Sequence, residues 1–255
     1  GALGLFGTIV DPKYGGQGMD YISYIVAVEE LARIDGSHAA TVAAHNSLGA
    51  GPLYYYGTPE QKKEYLPNLC DGNALWAFGL TEPDAGSDAQ ASKTTARYDS
   101  ERDEWIINGA KIWITNSASE LTSGITVQAV TGKRPDGRNE LTCFIMAADA
   151  PGLTRRVMKG KMMWRSSNTG ELYFDNVRVP SANILGKKGE GFKIMMDTLD
   201  AGRLSIGAMG LGCAKGALDL ALAYAKERKT FGVTISKHQA IAFKLAEMAT
   251  RIEAA

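Results

Sequence analysis

The sequence predicts an α+β fold of three consecutive regions: helices over residues 1–73, a middle antiparallel β-barrel or sandwich over 74–187, and the start of a helical bundle over 188–255. Three observations carry this reading. Apolar residues recur at helical spacing in the first region. In the second the period changes to two, with turn signals between short runs, and the third is dense in Ala, Leu, Met and Gly. Helices grouped together, then strands, then helices again fit layered regions and not an alternating α/β sheet.

In the first region, "MDYISYIVAVEELARID" places Tyr21, Ile25, Val28 and Ala32 on one helix face, and Glu29 precedes Arg33 by the four residues that favour an ion pair. Further on, Thr58 is an expected N-cap, Pro59 occupies the first helical position and Gln61 can close a capping box. Pro67 then ends or kinks that helix.

In the second region, Asn108-Gly109 lies between two β-prone runs and predicts a tight hairpin, since a type I′ turn needs positive φ at both central residues. Another hairpin is expected around "RPDGRNE", with strands in "LTCFIMAAD", "LTRRVM" and "ELYFDNVRVP". The third region, from "GEGFKIMMDTLDAGR" to "ERKTFG", reads as a closely packed long helix or helix pair.

With 28 basic and 28 acidic residues in 255, the chain has no global field to attract nucleic acid or an anionic membrane. Cys70, Cys143 and Cys213 are odd in number and far apart, which argues against a disulfide framework and a cysteine-rich metal site and suits a reducing compartment. Charges interrupt every apolar run before the ~20 residues of a membrane-spanning helix. "GALGLFG" has neither a methionine nor a basic signal-peptide region, and the last residues keep their helical period without a stop signal, so the chain reads as a fragment at both ends.

Several motifs are excluded by spacing. "GAMGLG" at 207–212 has the wrong glycine pattern for a dinucleotide loop and follows no strand, so small-residue helix packing is its expected role. "GKKGEGFK" lacks the Gly-Lys-Ser/Thr ending of a phosphate loop and reads as a turn feeding a helix. His38 and His45 are seven apart with no third ligand, so no metal site is expected. No G-x-S-x-G elbow supports a serine hydrolase.

Two segments remain. In "AFGLTEPDAGSDA", Thr81, Ser87 and the amides near Gly86 offer donors on a backbone open to close approach, while Glu82 and Asp88 can fix the turn by accepting bonds. Donors without fixed positive charge suit a flavin edge or a diphosphate. A turn that merely links helix to sheet is the alternative. On the strand "WIT", alternation puts Trp113 and Thr115 on one face and Ile112 and Ile114 on the other, giving a planar cofactor stacking area and a hydroxyl. An ordinary half-buried strand would show the same alternation.

Taken together, the segments "YGGQG", "FGLTEPDAGSD", "INGAKIWITN", "LYFDNVRVP", "GEGFKIMMDTLDAGR" and "ERKTFG" resemble the acyl-CoA dehydrogenase family, in the family's order and along essentially the whole chain. The resemblance implies the family's fold of N-terminal helices, middle β-domain and C-terminal bundle, with FAD as cofactor and an acyl-CoA thioester as substrate. It also implies an oxidoreductase of fatty acid β-oxidation that passes electrons to an electron-transfer flavoprotein. By the same resemblance Phe78, Leu80, Thr81, Gly86, Ser87, Trp113, Ile114 and Thr115 would line the flavin. Ser87, Asp200 and Arg203 would meet the substrate. Arg228, Thr230, Phe231, His238 and Gln239 would approach a flavin across a subunit interface, in a homotetramer built as a dimer of dimers.

The sequence also departs from the family's pattern. One branch carries its catalytic glutamate just before the arginine of the "LDAGR" segment, where this chain has Gly202. The short- and medium-chain branches take the base from a "YEGT"-like segment, which would lie beyond Ala255. The resemblance is therefore strongest to the short-chain, butyryl-CoA-type group, with the base outside this chain. Met163 and Trp164 replace smaller residues of the usual "KMGIR" pattern. An acyl-CoA oxidase of the same fold and a non-catalytic flavin- or acyl-CoA-binding relative are the alternatives. A bacterial cytoplasm is the expected setting, or the mitochondrial matrix in a eukaryote.

Overall fold

The computed structural model describes residues 1–255. The first helices are α1 (Tyr21–Ile34), α2 (Gly36–Ala44), α3 (Gly51–Tyr56) and α4 (Pro59–Cys70), with a π-helical turn, His45–Ala50, between α2 and α3. Asp20 caps α1 by accepting from the Ser23 amide, and Asp35 ends α1 and caps α2 in turn. The capping box on α4 forms as the sequence predicts: Gln61 N donates to Thr58 Oγ1 at 3.2 Å and Thr58 N to Gln61 Oε1 at 3.0 Å. Pro67 lies inside α4, which continues to Cys70.

The middle region holds β1 (Leu75–Gly79), β2 (Thr95–Asp99), β3 (Glu104–Thr115), β4 (Thr122–Lys133), β5 (Asn139–Ala147), β6 (Leu153–Val157), β7 (Thr169–Pro180) and β8 (Ile184–Leu185). Seven of them run in the order β6-β7-β3-β2-β4-β5-β8, and β1 joins through β4. Most neighbours are antiparallel, but β1 pairs with β4 in parallel and so does β2 at one position, which corrects a purely antiparallel expectation.

The hairpin predicted at Asn108-Gly109 does not form. β3 passes straight through it, and the pair is absorbed as an irregularity opposite β7, with Gly109 at φ 145° and Asn108 Oδ1 accepting from Asn176 N at 2.9 Å. The chain reverses instead between Asp99 and Glu104, with Asp103 at φ 53°. The β4–β5 hairpin lies where "RPDGRNE" predicts it.

The third region is a single helix α5 (Gly191–Glu227), then the short strands β9 (Lys229–Thr230) and β10 (Val233–Thr234), then α6 (Gln239–Ala254). By length and composition alone α5 could cross a membrane. It is instead seated along α1: a Cβ at Gly212 would lie 2.1 Å from the Glu29 carbonyl oxygen, and one at Gly216 equally close to that of Arg33. Gly207 and Gly210 meet nothing, so only one glycine of "GAMGLG" serves this seam. Glu29 pairs with Lys215, and Arg33 reaches Asp219 at 2.6 Å, so the partner expected within α1 lies on α5.

Three apolar clusters follow. Ile107, Ile114, Ile125, Val127, Phe144 and Leu172 fill the β-region, and Leu53, Leu66, Leu69, Trp76, Ile145 and Ile194 join it to the helices. Tyr24, Val28, Ala39, Ala40, Ala43 and Met209 fill the α1–α2–α5 junction.

Candidate flavin and acyl site

The loop after β1 is held from below by a buried charge pair. Lys111, on β3, donates through Nζ to Glu82 Oε1 at 2.7 Å and to the Leu80 carbonyl at 3.0 Å. Glu82 also accepts from the amides of Lys93 at 2.6 Å and Thr94 at 3.1 Å and from the Ser92 hydroxyl. Ile112 N donates to Thr81 O at 2.9 Å. One carboxylate thus binds two stretches of loop, 80–82 and 92–94, to one strand. Burial alone would raise the Glu82 carboxyl. The Lys111 charge and the hydrogen bonds from Lys111, Ser92 and Lys93 outweigh it and hold the carboxyl at about 2. Asp88, expected to share this work, does not cap the short turn that follows it. Gly86, Ser87 and Asp88 form an exposed turn, and nothing lies within 4 Å of where a Cβ at Gly86 would be.

Strict alternation along "WIT" is broken. The β3–β7 register shifts between Lys111 and Ile114, and Trp113 adopts φ 59°, a conformation that β-branched and bulky residues rarely hold. In consequence Trp113, Ile114 and Thr115 all line one cleft, with Phe78, Leu80 and Thr81 from the β1 side and Ala44, Leu48 and Leu199 from the helices. Trp113 is 61% exposed, so its indole is presented and not packed away. Ile114 belongs to the core, whereas Ile112 is only half-buried.

A second, larger cavity of about 470 Å³ opens between α2 and α5. It shares Ala44, Leu48, Thr115 and Leu199 with the cleft and continues past Ala40, Gly202, Ser205 and Ile206 to Trp164. Its walls are mostly alanine and aliphatic side chains, and no Asp or Glu lines either space. Gly202 faces the cavity, where a Cβ would sit 3.4 Å from Leu48 Cδ2. Arg203 lines it and pairs with exposed Asp200.

His45 stands behind the cleft, fully buried. It lies 3.2 Å from the Leu69 carbonyl through Nε2 and accepts from Trp76 N through Nδ1 at 3.4 Å. Burial pushes its pKa down to about 4, so the ring is neutral, as this pairing requires. His38 is on the surface beside Asp35.

The remaining residues expected at a flavin are gathered elsewhere. Thr230 Oγ1 and His238 Nε2 lie 2.9 Å apart, Phe231 is almost wholly exposed at φ 52° and meets the His238 ring edge-on, Arg228 ends α5 and Gln239 begins α6. Arg228 is roughly 40 Å along the helix axis from Leu199, so one chain does not bring this group to its own cleft. Sequence reasoning missed Ala44, Leu48, Trp76, Leu199 and Lys111. The alanine-rich run of α2 and a lysine set among apolar strand residues were the available signals.

Models of three successive acyl-CoA dehydrogenase domains match the chain: the N-terminal domain over residues 1–73, the middle domain over 77–177 and the C-terminal domain over 189–255. The chain is 52% identical to a Bacillus subtilis protein named "probable acyl-CoA dehydrogenase YngJ", over 255 residues that make up all of this chain and 66% of that protein. It superposes on butyryl-CoA dehydrogenase from Megasphaera elsdenii with a TM-score of 0.93 at 44% identity, covering 99% of this chain and 66% of that one. An acyl-CoA dehydrogenase complexed with FAD from Bacillus anthracis gives 0.91 at 38% identity, covering 98% of this chain and 42% of that one. The chain thus spans just under two thirds of the length of the first two of these relatives and less than half of the third.

Proposed function

The chain belongs to the acyl-CoA dehydrogenase family, and from that premise we propose that it forms the flavin- and acyl-facing part of an FAD-dependent dehydrogenase of short-chain acyl-CoA thioesters. The observation that carries this reading is Thr115, the one hydroxyl among the residues shared by an aromatic-edged cleft and an apolar cavity.

The residues of the cleft fit an isoalloxazine ring. Trp113 offers a flat exposed face, Thr81 and Thr115 line the cleft with hydroxyls, and the Glu82–Lys111 clamp fixes the backbone between them. When bound, the flavin supplies the hydride acceptor for oxidation of the thioester's Cα–Cβ bond. The chain's own part is orientation. Thr115 and Leu199 hold the reacting carbons at the cleft, and the α2–α5 cavity takes the apolar remainder and excludes water. With no carboxylate lining either space and glycine at position 202, the base that takes the α-proton comes from residues outside this chain.

Asp200, Arg203 and the exposed Ser87 serve the CoA portion in this reading. The group of Arg228, Thr230, Phe231, His238 and Gln239 serves the flavin of a neighbouring subunit, which accounts for an exposed phenylalanine held far from the chain's own cleft. A homotetramer and an electron-transfer flavoprotein complete the proposal. Titration with FAD followed by flavin fluorescence tests its first element: saturable quenching that is lost on Trp113→Ala supports it, and absence of quenching in the unaltered protein removes it.

A further inference from the structure

We propose that Trp164 is the residue that sets the acyl-chain length, as the end wall of the α2–α5 cavity. The inference rests on the reading above, in which that cavity receives the acyl group. The helices run antiparallel here. At one end, Gly202 of α5 faces Leu48, beside the flavin cleft; at the other, a Cβ at Gly36, the first residue of α2, would lie 3.0 Å from Cys213 Sγ and 3.2 Å from Trp164 Nε1. A chain entering at Thr115 and Leu199 therefore advances past Ala40 and Ile206 and meets the indole.

Trp164 is a fixed wall. It is packed against the α1–α2–α5 cluster and adopts φ 51°. Its segment is tied down on its C-terminal side: Ser167 N donates to Trp164 O at 3.1 Å, and Asn168 takes the amides of Asn116 through its carbonyl and Ala118 through Oδ1, each at 2.9 Å. The segment is thus bonded to the end of the strand that carries Trp113 and Thr115, so the wall and the reacting end share one support. Along the cavity α2 presents Ala40, Ala43 and Ala44 and α5 presents Gly202 and Ser205, so the indole is the largest side chain that a growing acyl chain encounters.

The test uses the FAD-loaded protein and 3-thia analogues of butyryl-, hexanoyl-, octanoyl- and decanoyl-CoA, in which sulfur replaces the β-carbon and blocks hydride loss. Dissociation constants are measured by calorimetry. While added methylenes enter the cavity, affinity should rise about fourfold for each. In the unaltered protein the rise stops at the chain that reaches Trp164. In Trp164→Ala, and in the more conservative Trp164→Leu should the first misfold, the stop moves to a chain at least two carbons longer, with butyryl affinity changed less than threefold. The same stop in the unaltered protein and in a folded variant would overturn the assignment of Trp164 while leaving the acyl site intact. Absence of binding at every length in the unaltered, flavin-loaded protein would overturn both.

Discussion

Lys111 Nζ and Glu82 Oε1 lie 2.7 Å apart, and both side chains are withdrawn from solvent. The pair joins the β1 loop to β3 beneath the cleft lined by Trp113 and Thr115, with the carboxylate's other acceptor positions taken by Ser92, Lys93 and Thr94. Removing one partner strands the other charge. Lys111→Met or Glu82→Gln should each cost about 3–5 kcal/mol in urea unfolding at pH 7. The double variant should lose less than the two single losses combined, because it leaves no lone ion.

The pH dependence of this pair has a definite sign. The Glu82 carboxyl titrates at about 2 in the folded chain and near 4.5 when unfolded. Its stabilisation is complete above pH 4.5 and is lost as pH falls toward 2. Stability curves of the unaltered chain should fall in that window, and those of the double variant should lack this component.

His45 acts in a higher window. Its folded value of about 4 lies below the ordinary 6.5, so its contribution is present above pH 6.5 and fades as pH falls toward 4. That component amounts to about 3 kcal/mol. Thermal melts of His45→Gln should be flatter than those of the unaltered chain between pH 6.5 and 4.

The two kinds of glycine on α5 should respond oppositely. Gly212→Leu drives a side chain into the Glu29 carbonyl and should destabilise by at least about 1–3 kcal/mol. Gly210→Ala meets open space and should stabilise the helix by about 0.5–1 kcal/mol. Denaturant midpoints of the two variants decide this.

Thr115→Val keeps the shape of the side chain and removes its hydroxyl. Loss of one hydrogen bond to a flavin should weaken FAD binding about three- to tenfold. An unchanged FAD dissociation constant would remove Thr115 from the flavin's partners.

The order of helices, strands and helix was legible because periodicity and caps act locally: Thr58 and Gln61 close their box with each other, four residues of chain sufficing. The Asn108-Gly109 turn was misread for a complementary reason. A local preference for positive φ can be met by a bulge when a neighbouring strand, here β7 with Asn176, supplies the pairing. The cleft's edge was readable in Trp113 and Thr115, though not the register shift that brings Ile114 in beside them. Ala44, Leu48 and Leu199 come to line the cleft and the cavity only through the packing of the first helices against α5, which no short-range pattern encodes. The Glu82–Lys111 pair joins positions 29 residues apart and could be seen only once the loop after β1 lay against β3.

A visible absorption spectrum of a polypeptide that carries this chain at the length of its relatives, recorded anaerobically before and after butyryl-CoA is added, tests the proposed flavin and thioester chemistry most directly. A flavin band that bleaches on addition is the expected result for that chemistry. A protein that takes up no flavin on reconstitution, or a flavin band unchanged by butyryl-CoA and by longer acyl-CoAs, would contradict it.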